Sequence, residues 1–462
     1  MNLNSQILDA KDDFLQDLNT LVSIESTRDK EHAAEGMPFG PNPRKALDAF
    51  LDMAKRDGFK TKDIDGYAGV IEYGDQKDTV GILGHLDIVP LGEGWTKPPL
   101  AVSEEGGYIF GRGVMDDKGP ALAAYYALKL IKEAGVPLKK RVMLIAGCDE
   151  ESGMECMDYY CEHAEIPDVG FVPDANFPVI YGEKGGAHVI LRSKDATVIK
   201  DLQAGLRPNI VIGKADVTVD SASDEQKKEF AYYLKSRGLE GNVREDENGV
   251  TYHIEGVPAH AAMPWLGVNA ALELLNFIGT SYNDQLAKDL YSLLKDWQGK
   301  PVGIDIDGLY MGFLTMNTGI VKMKDDETEI LIDIRYPNDT NAREIMAGFE
   351  KSVAALASHI EPELASDSAP LFVDPNSELV TSLMDVYRRH TGDAFSPAIT
   401  IGGGTYARKF SNFVSFGPEL PGEKFPEDLF VGGPHQRDEG IKLDNLLNAI
   451  AIYADAILAL AA

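Results

Sequence analysis

The chain has 462 residues, of which 44% are hydrophobic and 26% are charged, as in ordinary soluble globular proteins. Its 44 basic residues against 74 acidic ones give a net charge of −30, which excludes nucleic acid as an expected partner because phosphate binding needs cationic patches. The length suggests roughly two or three domains with ample chain for a large core.

The N-terminal stretch, the apolar runs and the cysteines indicate where the protein is expected to be located. The N-terminal stretch MNLNSQILDAKDDFLQDL lacks the basic region and the apolar region of a secretory signal. No stretch approaches the roughly 18 consecutive apolar residues of a membrane span. Cys148, Cys156 and Cys161 are too few and too irregularly spaced for a disulfide framework or a cysteine-based zinc site. We therefore expect a cytoplasmic protein without a membrane partner.

The first part of the chain alternates predicted helices and strands. Apolar residues have helical spacing at 4–22 and 43–57, on either side of the polar loop 26–42. Strands are predicted at 71–75, 78–90, 141–151 and 168–175. A long helix, 117–134, separates the second strand from the third. This alternation predicts an α/β fold, with a mostly parallel sheet and helices on both faces.

The pattern changes after the glycine-containing segment YGEKGG. Alternating strands and amphipathic helices follow without further motifs, and they predict an inserted α+β domain at 187–378. The chain then returns with a helix, a glycine run, a short strand, a Gly/Pro-rich loop and a last helix. We accordingly expect a catalytic domain in two parts, 1–186 and 379–462, around the inserted domain.

The motif VMLIAGCDEE, residues 142–151, is the centre of the predicted site. An apolar run typical of a buried parallel strand ends there in Glu150 and Glu151. Open α/β sheets bind their ligands at the carboxyl ends of the strands. Two such carboxylates could divide the work, one binding a metal and the other moving a proton. A lone Glu-Glu pair is more often surface charge, so the assignment depends on other residues.

Further candidates stand in similar places. His85 and Asp87 in GHLD share a face at a strand end, so Asp87 could orient the imidazole of His85. Asp116 lies between glycines in GRGVMDDKG, where an Asp could bridge two metals or simply cap a helix. Asp174 closes another apolar strand, and His435 lies in the loop GGPHQRDEG, where packing does not obviously need a histidine.

Together these residues predict a metal site with two imidazoles and three carboxylates, from His85, Asp116, Glu151, Asp174 and His435. If Asp116 bridges, each of two divalent ions has a histidine, a terminal carboxylate and a shared oxygen, which matches an open zinc site. Mn²⁺ or Co²⁺ would also suit these ligands. Two divalent ions against three negative charges favour a bound hydroxide, and Glu150 is then free to act as general base.

The motifs GHLDIVP, GEGW, GRGVMDDKGP, GCDEESG, VPDA and GGPHQRDE follow one another along nearly the whole chain. In this order the sequence resembles the aminoacylase and carboxypeptidase-G-like family of co-catalytic di-zinc metallopeptidases, and within it the peptidase V-like dipeptidases. The resemblance implies a di-zinc exopeptidase-like catalytic domain and a lid formed by the inserted domain.

The resemblance also implies roles for the candidate residues. His85 and Asp174 would bind one zinc, Glu151 and His435 the other, and Asp116 would bridge them. Glu150 would be the general base and Asp87 would orient a ligand. A cis peptide between Asp116 and Asp117 is implied as well.

Substrate-binding residues are implied in the same way. His260 in GVPAHAAMPW would stabilise the oxyanion of the tetrahedral intermediate. Asn209, Arg335 and the backbone of the glycine run would hold the carboxylate of the substrate. That run consists of Gly402, Gly403, Gly404 and Thr405. For Asn209 and Arg335 a turn and a solvated surface charge are equally good interpretations.

We expect from these arguments a monomeric dipeptidase whose substrate is a dipeptide with a free N-terminal amine and a broad, hydrophobic preference at that residue. A hydroxide that bridges the metals would attack the peptide carbonyl. The main alternative is an N-acyl amino-acid deacylase or desuccinylase with the same metals. A non-catalytic metal-binding or scaffold protein is the alternative from another class.

Overall fold

The structure is a computed structural model that describes residues 4–462. Packing divides the chain into two compact units. The first unit comprises the chain up to Gly182 together with Phe372–Ile399 and Gly404–Ala462, and the second comprises Glu183–Leu371 with Thr400–Gly403. The sequence predicts boundaries at 186 and 378, whereas the units divide after Gly182 and after Leu371, and Thr400–Gly403 groups with the second unit although it lies in the predicted second catalytic part.

A nine-stranded mixed sheet forms the centre of the first unit. Eight strands follow one another across it: Lys60–Ile64, Ala68–Tyr73, Arg141–Gly147, Thr79–His85, Val169–Val172, Phe413–Ser415, Ile180–Glu183 and Leu371–Phe372. Ile399–Ile401 pairs beside Ile180–Glu183. The four strands from Arg141–Gly147 to Phe413–Ser415 run parallel to one another.

Every residue of Thr79–His85 is buried, which is the pattern of a strand covered on both faces. The helices of this unit are Asn4–Asp9, Lys11–Val22, Pro41–Arg56, Lys118–Glu133, Glu155–His163, Glu378–Thr391 and Leu443–Ala461. A smaller three-stranded sheet contains Ser103–Glu105, Tyr108–Phe110 and Gly440–Lys442, and Ala175–Asn176 pairs with Pro418–Glu419. The predicted α/β architecture with a mostly parallel sheet is confirmed.

The last helix, Leu443–Ala461, is long and apolar enough to cross a membrane by length and composition alone, with a mean hydropathy of 1.5. However, 72% of its apolar window is buried inside the protein, where it packs along Lys118–Glu133. Burial of this kind is typical of a helix in the core of a globular unit.

The second unit has an eight-stranded antiparallel sheet. Its strands, in spatial order, are Glu240–Asp246, Gly249–Glu255, Lys214–Val219, Ile199–Ala204, Thr315–Lys324, Glu327–Tyr336, Gly185–Ser193 and Glu361–Ser368. The helices are Asp224–Arg237, Ala270–Ser281, Gln285–Leu294 and Ala342–Val353. One hydrophobic cluster joins the sheet and these helices, so this unit has its own core. The predicted inserted α+β architecture is confirmed.

Candidate metal centre

The sheet of the first unit brings the candidate residues to one edge. His85 ends its strand and pairs with Gly147 of the parallel neighbour, three residues before Glu150. Asp174 follows the end of the next parallel strand, Val169–Val172. Because parallel strands end on the same side of a sheet, residues from separate parts of the sequence meet there.

Within residues 4–462, two groups of side chains have the spacing of metal ligands. One contains His85, Asp116 and Asp174, and the other contains Asp116, Glu151 and His435. In each group the possible ligand atoms lie within 4.8 Å of one another. The structure therefore brings together all five residues for which the sequence predicts metal ligation.

Asp116 belongs to both groups, and its two oxygens face different histidines. Oδ1 lies 3.0 Å from Nε2 of His85, and Oδ2 lies 3.2 Å from Nε2 of His435. Each histidine also approaches a second carboxylate, with His85 3.6 Å from Asp174 and His435 2.9 Å from Glu151. A carboxylate placed in this way can give one oxygen to each of two cations.

The electrostatics of the cluster suit divalent cations. Burial and the charge of Asp116 raise the pKa of Asp174 to about 7. Hydrogen bonds to Asp116 and Glu151 raise the pKa of His435 to about 10. Near neutral pH the imidazole of His435 therefore carries a proton and Asp174 is partly protonated, and a metal that binds must displace these protons. Imidazole and carboxylate together are ligands for Zn²⁺, Mn²⁺ or Co²⁺, so the residues present fit such ions.

Glu150 lies beside both groups but belongs to neither. Burial raises its pKa well above the ordinary value, and the charges of Asp174, Glu151 and Asp116 also favour the protonated form against the opposing effect of His85. Its main-chain N–H is held by Asp87, so the side chain is placed by a fixed turn. A carboxyl group with a raised pKa next to candidate metal ligands is suited to proton transfer.

Asp87 holds two parts of the site. Its main-chain carbonyl accepts a hydrogen bond from Nδ1 of His85 at 3.0 Å, which leaves Nε2 of that ring for a metal. Its carboxylate lies 3.5 Å from Nδ1 and instead accepts the N–H groups of Glu150 and Glu151, at 3.0 and 3.1 Å. The sequence predicts that Asp87 orients His85; in the structure the shorter contact comes from the carbonyl, and the side chain fixes the Glu150-Glu151 turn.

The loop that carries Asp116 is fastened by residues that the sequence reasoning missed. Glu439 and Arg112 form a buried ion pair at 2.6 Å. Glu439 also accepts N–H groups of the loop, including that of Asp116 at 3.2 Å. The peptide between Asp116 and Asp117 is cis, as the resemblance implies. Two features of the sequence could have indicated these residues: the Arg between two glycines in GRG, and the acidic residue four positions after His435.

A second missed support comes from the loop 26–42. The hydroxyl of Ser26 donates to the carbonyl of Leu86 at 2.6 Å, next to His85. Arg28 donates to the buried carboxylate of Asp149 at 2.8 Å and to the carbonyl of Ser152 at 3.1 Å. The polar sequence of this loop gave no sign of a role in the site. In the structure the loop is hydrogen-bonded to the segment that follows His85 and to the segment that contains Glu150 and Glu151.

The substrate-binding candidates in the second unit lie close to one another. The N–H of Ala261 donates to the carbonyl of Asn209 at 2.9 Å, so His260 and Asn209 are on adjacent segments. Nδ1 of His260 accepts the N–H of Ala262 at 3.1 Å. Burial and the nearby Arg335 charge lower the pKa of His260. A neutral His260 therefore carries its proton on Nε2, where it can be donated.

Arg335 is held by a neighbour on its own strand. Its Nε lies 2.9 Å from Oδ1 of Asp333, and its Nη2 donates to Oδ2 at 3.0 Å. Asp333 is buried, so the guanidinium is fixed in orientation. A Cβ added at Gly186, across the strand pair, would stand 3.4 Å from Nη1 of Arg335. Gly186 thus leaves space beside that nitrogen.

The glycine run does not fall within a single unit. Gly402 and Gly403 group with the second unit, whereas Gly404 and Thr405 group with the first. Thr405 is buried, its hydroxyl pairs with that of Ser415 at 2.9 Å, and it accepts the N–H of Ala407 at 3.1 Å. These two hydrogen bonds lie within the first unit, and a role of the run in substrate binding stays a prediction.

Comparison with known proteins supports the chemistry suggested by this geometry. The model of the family described as peptidase family M20/M25/M40 matches residues 81–459. The chain is 36% identical over 475 residues to the protein named Putative dipeptidase YtjP of Bacillus subtilis, with 100% of both chains covered. It is 37% identical over 471 residues to a protein of Staphylococcus epidermidis named Putative dipeptidase, with 98% of both covered.

Solved structures share the fold at low sequence identity. Human carnosine dipeptidase 1 is 16% identical with a TM-score of 0.54, and the match covers 99% of this chain and 98% of that one. The di-peptidase Dug1p of Saccharomyces cerevisiae is 15% identical with a TM-score of 0.56, covering 99% and 97%. The family match and the full-length relatives together show that the chain belongs to peptidase family M20/M25/M40 and is a metallopeptidase.

Proposed function

We propose that the protein is a dipeptidase that hydrolyses the peptide bond of dipeptides with a free N-terminal amine. The observation that carries the proposal is the position of Asp116, whose oxygens belong to two separate ligand groups beside Glu150. Support for the substrate class comes from the two full-length relatives, both of which are named as dipeptidases.

The candidate ligands would hold two divalent ions. His85 and Asp174 would bind one ion, Glu151 and His435 the other, and Asp116 both. Such ions, which we propose to be Zn²⁺ with Mn²⁺ or Co²⁺ as replacements, supply polarisation of the substrate carbonyl and a lowered pKa for the attacking water.

Glu150 would move the proton. It takes a proton from the attacking water and passes it to the amine that leaves when the peptide bond breaks. Burial raises the pKa of Glu150, whereas two divalent cations nearby would lower it again. A pKa brought back towards neutrality lets one carboxyl group act first as base and then as acid.

Residues of the second unit would hold the substrate. His260 would donate its Nε2 proton to the oxyanion that forms at the carbonyl carbon, because Nδ1 is already engaged by Ala262. Arg335, with Nε and Nη2 turned to Asp333, would offer Nη1 to the C-terminal carboxylate. Asn209 would assist it. A clamp for the carboxylate at one end and an acidic, metal-lined pocket at the other would restrict the length to two residues.

The deciding experiment compares three substrates with metal-loaded protein: a hydrophobic dipeptide, its N-acetylated form and the corresponding tripeptide, each with and without chelator. Cleavage of the free dipeptide alone, lost with chelator and restored by Zn²⁺, Mn²⁺ or Co²⁺, is the expected result. Preference for the N-acetylated form would assign a deacylase instead. Absence of turnover in protein with two bound ions would point to a non-catalytic metal-binding protein.

A further inference from the structure

Glu439 concentrates an unusual number of donors on one buried carboxylate. Its side chain is fully buried. Oε1 accepts the N–H groups of Gly113, Met115 and Asp116 at 2.9, 3.1 and 3.2 Å. Oε2 accepts from Nη1 of Arg112 at 2.6 Å. Hydrogen bonds to a charged acceptor are stronger than neutral ones, so this carboxylate fixes the path of the whole loop.

The loop needs such an external support. Gly111 and Gly113 have φ values of +150° and +90°, a region that few other residues adopt, and glycines leave the backbone free to change conformation. The main-chain carbonyl of Glu439 accepts the N–H of Gly111 at 3.0 Å as well. Glu439 thus holds the loop at both ends, and Asp116 is the last residue that it holds.

Glu439 also belongs to the segment that carries His435. That segment is closed on itself, because the N–H of Gly432 donates to the carbonyl of Asp438 at 2.8 Å and the N–H of Gly440 donates to Gly432 at 3.0 Å. One residue therefore connects the backbone of Asp116 with the loop of His435. Both residues belong to the group that also contains Glu151.

The other ligand group depends less on this connection. His85 is the last residue of a buried strand, and Asp174 follows the end of the neighbouring parallel strand. The backbone of His85 is paired with Gly147 in the sheet, and Asp174 lies two residues beyond its strand. Asp116 is the only member of that group held by Glu439 among the residues that the structure describes.

We propose that Glu439 is a positioning residue that allows the site to bind two ions. It holds Asp116 and the His435 loop in the relative position in which the two oxygens of Asp116 face both ligand groups. This inference rests on the proposed two-metal site. Loss of the Glu439 contacts then weakens the ion held by Glu151 and His435 more than the ion held by His85 and Asp174. A residue that only stabilised the fold would affect both ions alike.

The test is a Co²⁺ titration of metal-free Glu439→Gln, followed by visible absorption, with stoichiometry from elemental analysis. Glutamine keeps an oxygen for the loop N–H groups but turns an amide towards Arg112. We expect a first ion bound within about threefold of the wild-type affinity and a second ion weakened by about 10- to 100-fold, the usual effect of losing an outer contact of a ligand.

Asp438→Asn is the matched control. Asp438 is the adjacent buried acid, and its carboxylate accepts the N–H groups of Thr96 and Lys97 at 2.7 and 2.9 Å rather than those of the Asp116 loop. It should keep two ions of wild-type affinity and the wild-type spectrum. If Glu439→Gln does not fold, Arg112→Lys replaces it; this variant keeps a positive charge but loses the fixed geometry, and should weaken the second ion selectively.

Two results would overturn the proposal. In the first, Glu439→Gln binds each of the two ions as tightly as the wild type does. In the second, the variant loses affinity for both ions to the same extent and has a lower melting temperature. In either case Glu439 would be a purely structural residue. Wild-type protein that binds only one ion would refute the two-metal site itself, and with it this role. The wild-type titration therefore separates failure of the proposed function from failure of the proposal for Glu439.

Discussion

The carboxylate of Asp87 accepts the main-chain N–H of Glu150 at 3.0 Å. This bond joins the ends of two neighbouring parallel strands, since Asp87 follows Thr79–His85 and Glu150 follows Arg141–Gly147. The proposed base and the residue that holds a candidate metal ligand are thus fixed to each other.

Asp87→Asn should destabilise this junction. Oδ1 of Asp87 accepts the N–H of Glu150 and Oδ2 accepts that of Glu151, so replacing one oxygen by an amide NH2 removes the acceptor of one of the two. We expect the free energy of unfolding to fall by about 1 to 3 kcal/mol, because a partly buried donor loses its hydrogen bond to a charged acceptor. Urea unfolding followed by circular dichroism measures it. Asp52→Asn on an exposed helix face is the control, and an equal effect there would contradict this account.

Glu150→Gln should abolish proton transfer without removing metal. Glu150 lies outside both ligand groups, so the metal content should stay at the wild-type value. The turnover number for a dipeptide should fall about 10²- to 10⁴-fold, the usual contribution of a general acid–base residue. Steady-state kinetics with parallel elemental analysis tests this, with exposed Glu104→Gln as control. Full activity in metal-loaded Glu150→Gln would remove this residue from the mechanism.

His260→Ala should lower turnover more than substrate binding. Because Nδ1 of His260 accepts the N–H of Ala262, the Nε2 proton is available for an oxyanion that exists only near the transition state. We expect kcat to fall about 10²- to 10³-fold with little change in KM. His359→Ala, which removes an exposed histidine of the same unit, is the control. A change in KM alone would assign His260 to substrate binding instead.

Acid should remove the stability contributed by Asp57. Burial opposes its ionisation, but hydrogen bonds from Arg56, Tyr125 and Lys129 outweigh this and hold the pKa of Asp57 well below its usual range. A group with a lowered folded-state pKa stabilises the protein above its unfolded pKa of about 3.9, and this stabilisation disappears as the pH falls through the folded value.

Asp57→Asn should therefore lower the unfolding free energy at pH 7 by about 1.5 to 3 kcal/mol, as expected for hydrogen bonds to a charged group. The difference from wild type should shrink as the pH falls below about 4. Urea unfolding at a series of pH values measures it. A difference that does not depend on pH would show that the ionised form of Asp57 contributes nothing specific.

Much of the fold was predictable because the apolar strands of the first unit end in polar motifs, and such strands have a clear sequence pattern. Lengths were less certain: the strand predicted at 78–90 ends at His85, although Leu86, Ile88 and Val89 continue its apolar character around Asp87. In the inserted domain the sequence predicts helices at 225–237, 268–279 and 341–357 but not Gln285–Leu294, despite the amphipathic pattern of this helix and its N-cap residue Asp284. Sequence patterns report local periodicity and not the place where a ladder of hydrogen bonds stops.

Some residues of the candidate site could likewise be predicted from the sequence and others could not. His85 and Glu151 could be found because each stands at the end of an apolar strand. Arg112 and Glu439 could not, because their role is an ion pair between residues 327 positions apart, and neither segment shows by itself that it has a partner. Contacts of that kind become visible only when the chain is folded.

The order of the ligands along the chain has a consequence for biosynthesis. All members of the group His85, Asp116 and Asp174 are present once residue 174 has been synthesised, whereas the second group lacks a donor until His435. The sheet also needs Phe413–Ser415 to complete its parallel centre. If the two groups bind metals as we propose, the second ion can therefore bind only after His435 has been synthesised and has packed beside Asp116 and Glu151.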